Sequence, residues 1–115
     1  MSELTEKIVD FLKVLGEQTR FEILDLLKSG EKTSEEIQNA LDKKQSTISL
    51  QLKKLYAEDI INVKKKGSRK FYKIKYQYIL KIIALVQSFV INIQKKKAKK
   101  FVDLDVYDTL SSRHI

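Results

Sequence analysis

Leu4, Ile8, Phe11, Leu12 and Leu15 recur at i, i+4, i+7, i+8 and i+11, the spacing of a helix with one buried stripe, and Gly16 stands where that helix should end. Phe21, Ile23, Leu24, Leu26 and Leu27 predict a second, more central helix, stopped by Ser29-Gly30. Thr33 with Glu36 three residues on has the form of a capping box, opening a short third helix through Ile37 and Leu41. Asp42 to Lys44 supply a turn. In the helix that follows, at about 100° per residue, Ile48, Leu52 and Leu55 fall on one side and Ser46, Thr47, Leu50, Lys53 and Lys54 on the other. Ile60 to Lys66, Gly67-Ser68 and Arg69 to Lys75 then read as two strands and a turn.

A long apolar element follows, from Tyr78 to Lys100. Ile79, Ile82, Ile83, Leu85, Val86, Phe89, Val90 and Ile93 cover an arc wider than half a helix circumference, with Lys81, Ser88 and Asn92 on the polar side. A surface helix needs an apolar stripe of only about 100°, so this width predicts packing on its own domain and on a second copy. A membrane span is the rival, since the run KKKAKK from Lys95 to Lys100 has the look of a stop-transfer flank. Ile79 to Ile93 falls short of the ~20 apolar residues a bilayer requires and contains Lys81, Gln87, Ser88 and Asn92. Val102, Asp103, Leu104, Asp105 and Val106 alternate strictly, a strand pattern. The expected order is α-α-α-α-β-β-α, mainly α with a small β-hairpin, which describes a winged helix-turn-helix. Residues 1–100 form that domain with its dimerisation helices, and 101–115 a C-terminal tail.

Charge sharpens this picture. The net +8 is uneven: residues 1–42 hold 5 basic and 10 acidic side chains, whereas residues 43–75 hold 11 and 2. A surface that used lysine by default would explain the total but not the asymmetry, so a polyanionic partner, double-stranded DNA, is expected. With no cysteine in 115 residues, disulfides and thiolate metal sites are excluded chemically. The acidic start MSELTEKIVDFL has no secretory pattern, and a cytoplasmic location is expected. One histidine, His114, and no phosphate-cradling glycine loop argue against an enzyme, and no cofactor is expected. Asp103, Asp105, Asp108 and His114 lack the spacing of a metal site, so no metal is expected either.

The helix and hairpin carry the chemistry. Gln45, Ser46, Thr47, Ser49 and Gln51 supply short or bidentate donors and acceptors where a major-groove helix meets base edges, and Leu50 could meet a thymine methyl. The plainer reading makes Ser46 and Thr47 helix caps and leaves Gln51 in solvent. Lys43, Lys53 and Lys54 suit flanking phosphates. Around the Gly67 turn stand Lys64, Lys65, Lys66, Arg69 and Lys70; strand alternation lets only some face DNA, and Lys65, Arg69 and the tip at Ser68 are the expected contacts. Arg20 is expected to pair with Glu17 or another acid rather than a phosphate, since its charge opposes the dipole of its own helix. Lys95, Lys96, Lys97, Lys99 and Lys100 suit either an extended DNA footprint or a solvated helix end.

The segments LGEQTRFEIL at Leu15 to Leu24, QSTISLQLKKL at Gln45 to Leu55 and the wing strand FYKI at Phe71 to Ile74 together resemble the ArsR-type winged-helix transcriptional regulators. The resemblance spans about Leu15 to Ile74. It implies a homodimer built through the first and last helices, here Leu4, Ile8, Phe11, Ile82, Leu85, Val86, Phe89 and Ile93, bound to a palindromic operator and repressing until an effector releases it. Metal-sensing members carry a cysteine pair before the turn, where this chain reads EKTSEEI from Glu31 to Ile37, and others carry Asp and His ligands on the last helix, where this one has Ile, Leu, Val and Lys. Neither metal site carries over. Lys44 replaces a common capping Ser, and Leu50 a common His. A sequence-specific DNA-binding transcriptional regulator, a homodimeric repressor on a pseudo-palindromic operator, is therefore expected; a winged-helix protein-interaction module in a larger complex and a non-specific chromatin-type DNA binder are the alternatives.

Overall fold

The computed structural model describes the backbone of residues 2–112 and the side chains of residues 2–102. The chain divides into two compact units, residues 1–80 and 81–115. The first comprises α1 (Glu3–Leu15), α2 (Gln18–Leu27), α3 (Ser34–Leu41) and α4 (Gln45–Ala57), with a sheet of β1 (Lys32–Thr33), β2 (Ile61–Lys66) and β3 (Arg69–Ile74), ordered β1-β3-β2, against which α2, α3 and α4 pack. The last helix, α5 (Gln77–Ser112), begins at the end of this unit and runs through the second.

Local chemistry places these boundaries. Ser2 caps α1, Gly16 closes it with its N–H on the Leu12 carbonyl, and Thr33 and Glu36 form the reciprocal capping box of α3. Asp42 takes the left-handed conformation (φ 51) that turns the chain from α3 into α4. Lys44 precedes α4 without a side-chain cap, so the first-turn amides of that helix have no side-chain acceptor from it. Ile23, Leu24, Ile37, Ile48, Leu55, Ile60 and Ile61 are fully buried and bind α2, α3, α4 and the sheet into one core, each burial contributing about 1.5–3 kcal/mol.

Three expectations change. The two residues of β1 pair antiparallel with β3, Lys32 opposite Tyr72 and Thr33 opposite Phe71, which adds a strand to the expected order and gives β3 a second hydrogen-bonded neighbour beside β2. Val102 to Val106, read as a strand, continues α5 to Ser112. A helix satisfies its own backbone groups, whereas an alternating segment needs a ladder partner. Lastly, Gln77–Val102, 26 residues, is long and apolar enough by composition to cross a membrane, because the helix runs unbroken beyond both ends of the Ile79 to Ile93 segment. Asp103, Asp105 and Asp108 as side chains, and His114 altogether, lie outside the described residues.

Candidate nucleic-acid interface

Helix α4 buries Ile48, Leu52 and Leu55 and turns the opposite face outward. On that face Ser46, Leu50, Lys53 and Lys54 are exposed, Leu50 at 52%. A large apolar side chain so placed gains nothing from its own core, and a thymine methyl would cover it. Gln45 and Ser49 lie on the flank toward the wing, where with Ser68, Arg69, Lys70 and Tyr72 they line a cleft of ≈ 270 Å³. Thr47, Lys43 and Gln51 are half-buried.

Gln51 departs from its expected place. Its Oε1 accepts a hydrogen bond from Arg20 Nη1 at 2.9 Å, so it is neither idle in solvent nor a free bidentate reader. Arg20 departs too: Nε donates to the Val14 carbonyl at 2.7 Å and Nη2 to that of Lys13 at 3.3 Å, both at the C-terminal end of α1. The Glu17 carboxylate meets Arg20 through its backbone, accepting from the Arg20 N–H at 2.8 Å as the N-cap of α2. Burial pushes the Glu17 pKa up, but the backbone hydrogen bonds of Arg20 and Thr19, with the charges of Arg20 and Lys43, hold it below the usual value. Sequence reasoning missed this bridge because the carbonyls it satisfies have no residue signature.

Register settles which wing residues share a face. Partners across the hairpin point the same way, and the pairs Ile61–Ile74, Val63–Tyr72 and Lys65–Lys70 form one face, whereas Lys64–Phe71 and Lys66–Arg69 form the other. Ile61 and Ile74 are buried, so Lys65 and Lys70 extend the face directed at the core and α4; Lys70, Val63 and Tyr72 line a groove with Ser49, Lys53 and Tyr56. Lys65 and Arg69, expected together, are therefore on opposite faces. Arg69 approaches Glu35 at 4.0 Å, and Lys66 bonds Glu31 and lies 5.0 Å from the Phe71 ring centroid. The Lys66 hydrogen bond, against a small burial cost, depresses the Glu31 pKa. Gly67 makes the tip with φ +63, a conformation that L side chains resist.

A thiolate site for a thiophilic ion would need cysteine, which the sequence does not contain. The Glu31 to Ile37 segment offers carboxylates and hydroxyls, hard oxygen donors, of which Glu36 is engaged by Thr33 and Glu31 by Lys66. Thiolates are absent from the whole chain. The residues present do not fit a thiophilic ion.

An exposed polar helix face beside a basic three-stranded wing defines a winged helix-turn-helix protein. Residues 17–63 match the model of the bacterial regulatory protein arsR family. The chain is 31% identical over 84 residues to the HTH-type transcriptional regulator Rv0324 of Mycobacterium tuberculosis, covering 73% of this chain and 37% of that one. It is 28% identical over 74 residues to the arsenical resistance operon repressor of Staphylococcus xylosus, covering 64% and 71%. Among solved structures, the homodimeric winged helix-turn-helix domain of Mb0332 from Mycobacterium bovis, a possible ArsR-family regulator, superposes with a TM-score of 0.70 at 29% identity, over 78% of this chain and 87% of that one. Over residues 17–63 the chain carries the domain of the arsR family of bacterial regulatory proteins. It spans just over a third of the mycobacterial regulator's length.

Proposed function

We propose that the chain is a cytoplasmic, sequence-specific DNA-binding transcription regulator, a repressor acting as a homodimer on a pseudo-palindromic site without the family's metal ligands. The observation that carries this is the outer face of α4. Exposed Ser46, Leu50, Lys53 and Lys54, with Gln45, Ser49 and Thr47 beside them, present hydrogen-bonding, apolar and cationic groups on a helix that needs none of them for its core. Lys43, Lys65 and Lys70 supply phosphate contacts on either side, with Ser68 and Arg69 at the wing tip. Two copies would hold their α4 helices about one DNA turn apart.

The dimer reading rests on two apolar faces, each uncovered in its own unit. On α1, Leu4 is 67% exposed and Ile8 and Leu12 are exposed beside the half-buried Phe11; on α5, Phe89 is 64% exposed, with Leu85 and Val86 also open. Ile82 and Ile93 are half-buried on the same apolar arc of α5. The homodimeric state of the M. bovis domain supports the same reading. Lys81, Gln87, Ser88 and Asn92 within α5, and the family itself, favour a second copy over lipid as the cover of that helix.

The test is a fluorescence-anisotropy titration against duplexes selected by the protein from a random pool, repeated across salt concentrations and with excess random competitor. A dimer making about 8 phosphate contacts should give a log–log salt slope near −7, and binding should survive the competitor. Loss to competitor would make it a non-specific binder. No binding at any salt would leave the protein-interaction module.

A further inference from the structure

We infer that Arg20 is a positioning residue for DNA recognition: one guanidinium ties the reading helix α4 to the end of α1, and it sets the chemistry that Gln51 can offer. This rests on the DNA-binding reading above and deepens it. All the groups concerned lie in the first unit.

The last carbonyls of a helix have no partner within it. Arg20 supplies donors to two of those of α1, on Val14 and Lys13, while its remaining fork arm reaches Gln51 on α4. Its charge stands in the first turn of α2, against the dipole of its own helix, and is compensated by the negative end of α1 and by Glu17. Glu17 fixes the Arg20 backbone at the same time, so the side chain is anchored at its root. A planar, five-donor fork makes three such bonds in different directions; the ammonium of a lysine, at the end of a flexible stem, does not reproduce that geometry.

The consequence for Gln51 follows from donor and acceptor inventory. A guanidinium only donates, so the Gln51 atom facing it is the amide oxygen, independent of how the amide is drawn. The oxygen is committed inward and the NH2 remains. Gln51 therefore acts as a donor, toward guanine O6 or N7 or toward a phosphate, and not as the bidentate partner of adenine that a free glutamine can be. Any change in the angle of α1 moves the fork and with it the α4 flank that carries Gln51 and Thr47.

The experiment is a double-mutant cycle with Arg20→Met, Gln51→Met and both together, read by operator affinity, by the ratio of operator to random-duplex affinity, and by the salt slope. Wild-type protein in the same titrations tests the DNA-binding reading itself; if it binds no selected duplex, that reading fails first. With wild-type binding established, each single variant should lose about tenfold in the operator-to-random ratio, the double variant should lose no more than the worse single, and the salt slope should stay constant. A slope reduced by about 0.9 in Arg20→Met, with all duplexes weakened alike, would make Arg20 a direct phosphate contact and overturn the inference. Additive losses, or an unchanged ratio, would overturn it too. Gln51→Met keeps the Arg20 bonds to α1, so it remains informative if Arg20→Met fails to fold.

Discussion

Asp59 shows how much of this structure depends on single polar side chains at turns. It adopts φ 63 just after α4, and its carboxylate accepts from Tyr76 Oη at 2.9 Å and from Lys75, joining the end of α4 to the approach of α5. Those hydrogen bonds, led by that of Lys75, hold the Asp59 pKa below the ordinary 3.8. Glu31 and Glu36 are likewise depressed from 4.5, by Lys66 and by the Thr33 backbone and hydroxyl. A carboxylate with a lowered folded-state pKa contributes stability above its unfolded pKa and loses it as pH falls through the folded one. The urea midpoint should therefore stay level from neutral pH to about pH 5 and decline below it; a midpoint still level near pH 3 would contradict the pairing of these groups. Thr33→Ala removes the hydroxyl half of the α3 capping box, leaving the backbone N–H of residue 33 to donate to Glu36, and should lower the unfolding free energy by about 1 kcal/mol in the same assay. That box was legible in the sequence because its two partners are side chains three residues apart. The Asp59 clamp was not, because its partners lie 16 and 17 residues away and meet only through the fold.

At the scale of elements, apolar period located α1 to α4, and the Thr33–Glu36 capping box marked the start of α3. Sequence pattern located the hairpin from Gly67-Ser68, but not the face each lysine takes. Face assignment depends on register, and shifting the register by one residue would exchange Lys65 for Lys66. The third strand, β1, escaped notice because two residues carry no period, and its pairing is decided by β3. The alternation at Val102 to Val106 misled for the converse reason: a period of two describes a strand only where a neighbour completes the ladder, and α5 has none there to recruit within its own backbone. The observed register makes a prediction that composition alone cannot. Lys65→Ala and Lys70→Ala should each reduce the magnitude of the salt slope by up to about 0.9. Lys66→Ala, whose ammonium is already engaged by Glu31 and Phe71, should leave it nearly unchanged. Equal effects at all three positions would mean that the wing meets DNA with both faces.

The whole molecule poses the question of what covers its apolar surface. Most of the apolar stretch of α5 is exposed in one chain, Leu85, Val86, Phe89, Val90 and Ile91 among it, and α1 leaves Leu4, Ile8 and Leu12 open as well. Isolated apolar side chains are normal on a protein surface, but successive ones on one helix face are not. A second copy and a lipid bilayer are two covers for α5 that differ in what an acidic side chain would do. In a dimer, Phe89→Glu places a charge in a shared apolar contact and separates the copies while leaving each folded. In a bilayer the same change would release the protein from the membrane fraction. The dimer reading therefore predicts that wild-type protein stays in the supernatant after ultracentrifugation without detergent and sediments at twice its 13.4 kDa chain mass. Phe89→Glu should sediment as a monomer with unchanged helical circular dichroism. Because half the phosphate contacts then remain, its salt slope should fall in magnitude from near −7 to about −3.5, and operator discrimination should collapse with it. Wild-type protein found in the membrane pellet would assign α5 to lipid, and a monomer that still binds with the full slope would show that the two copies read DNA without using this face.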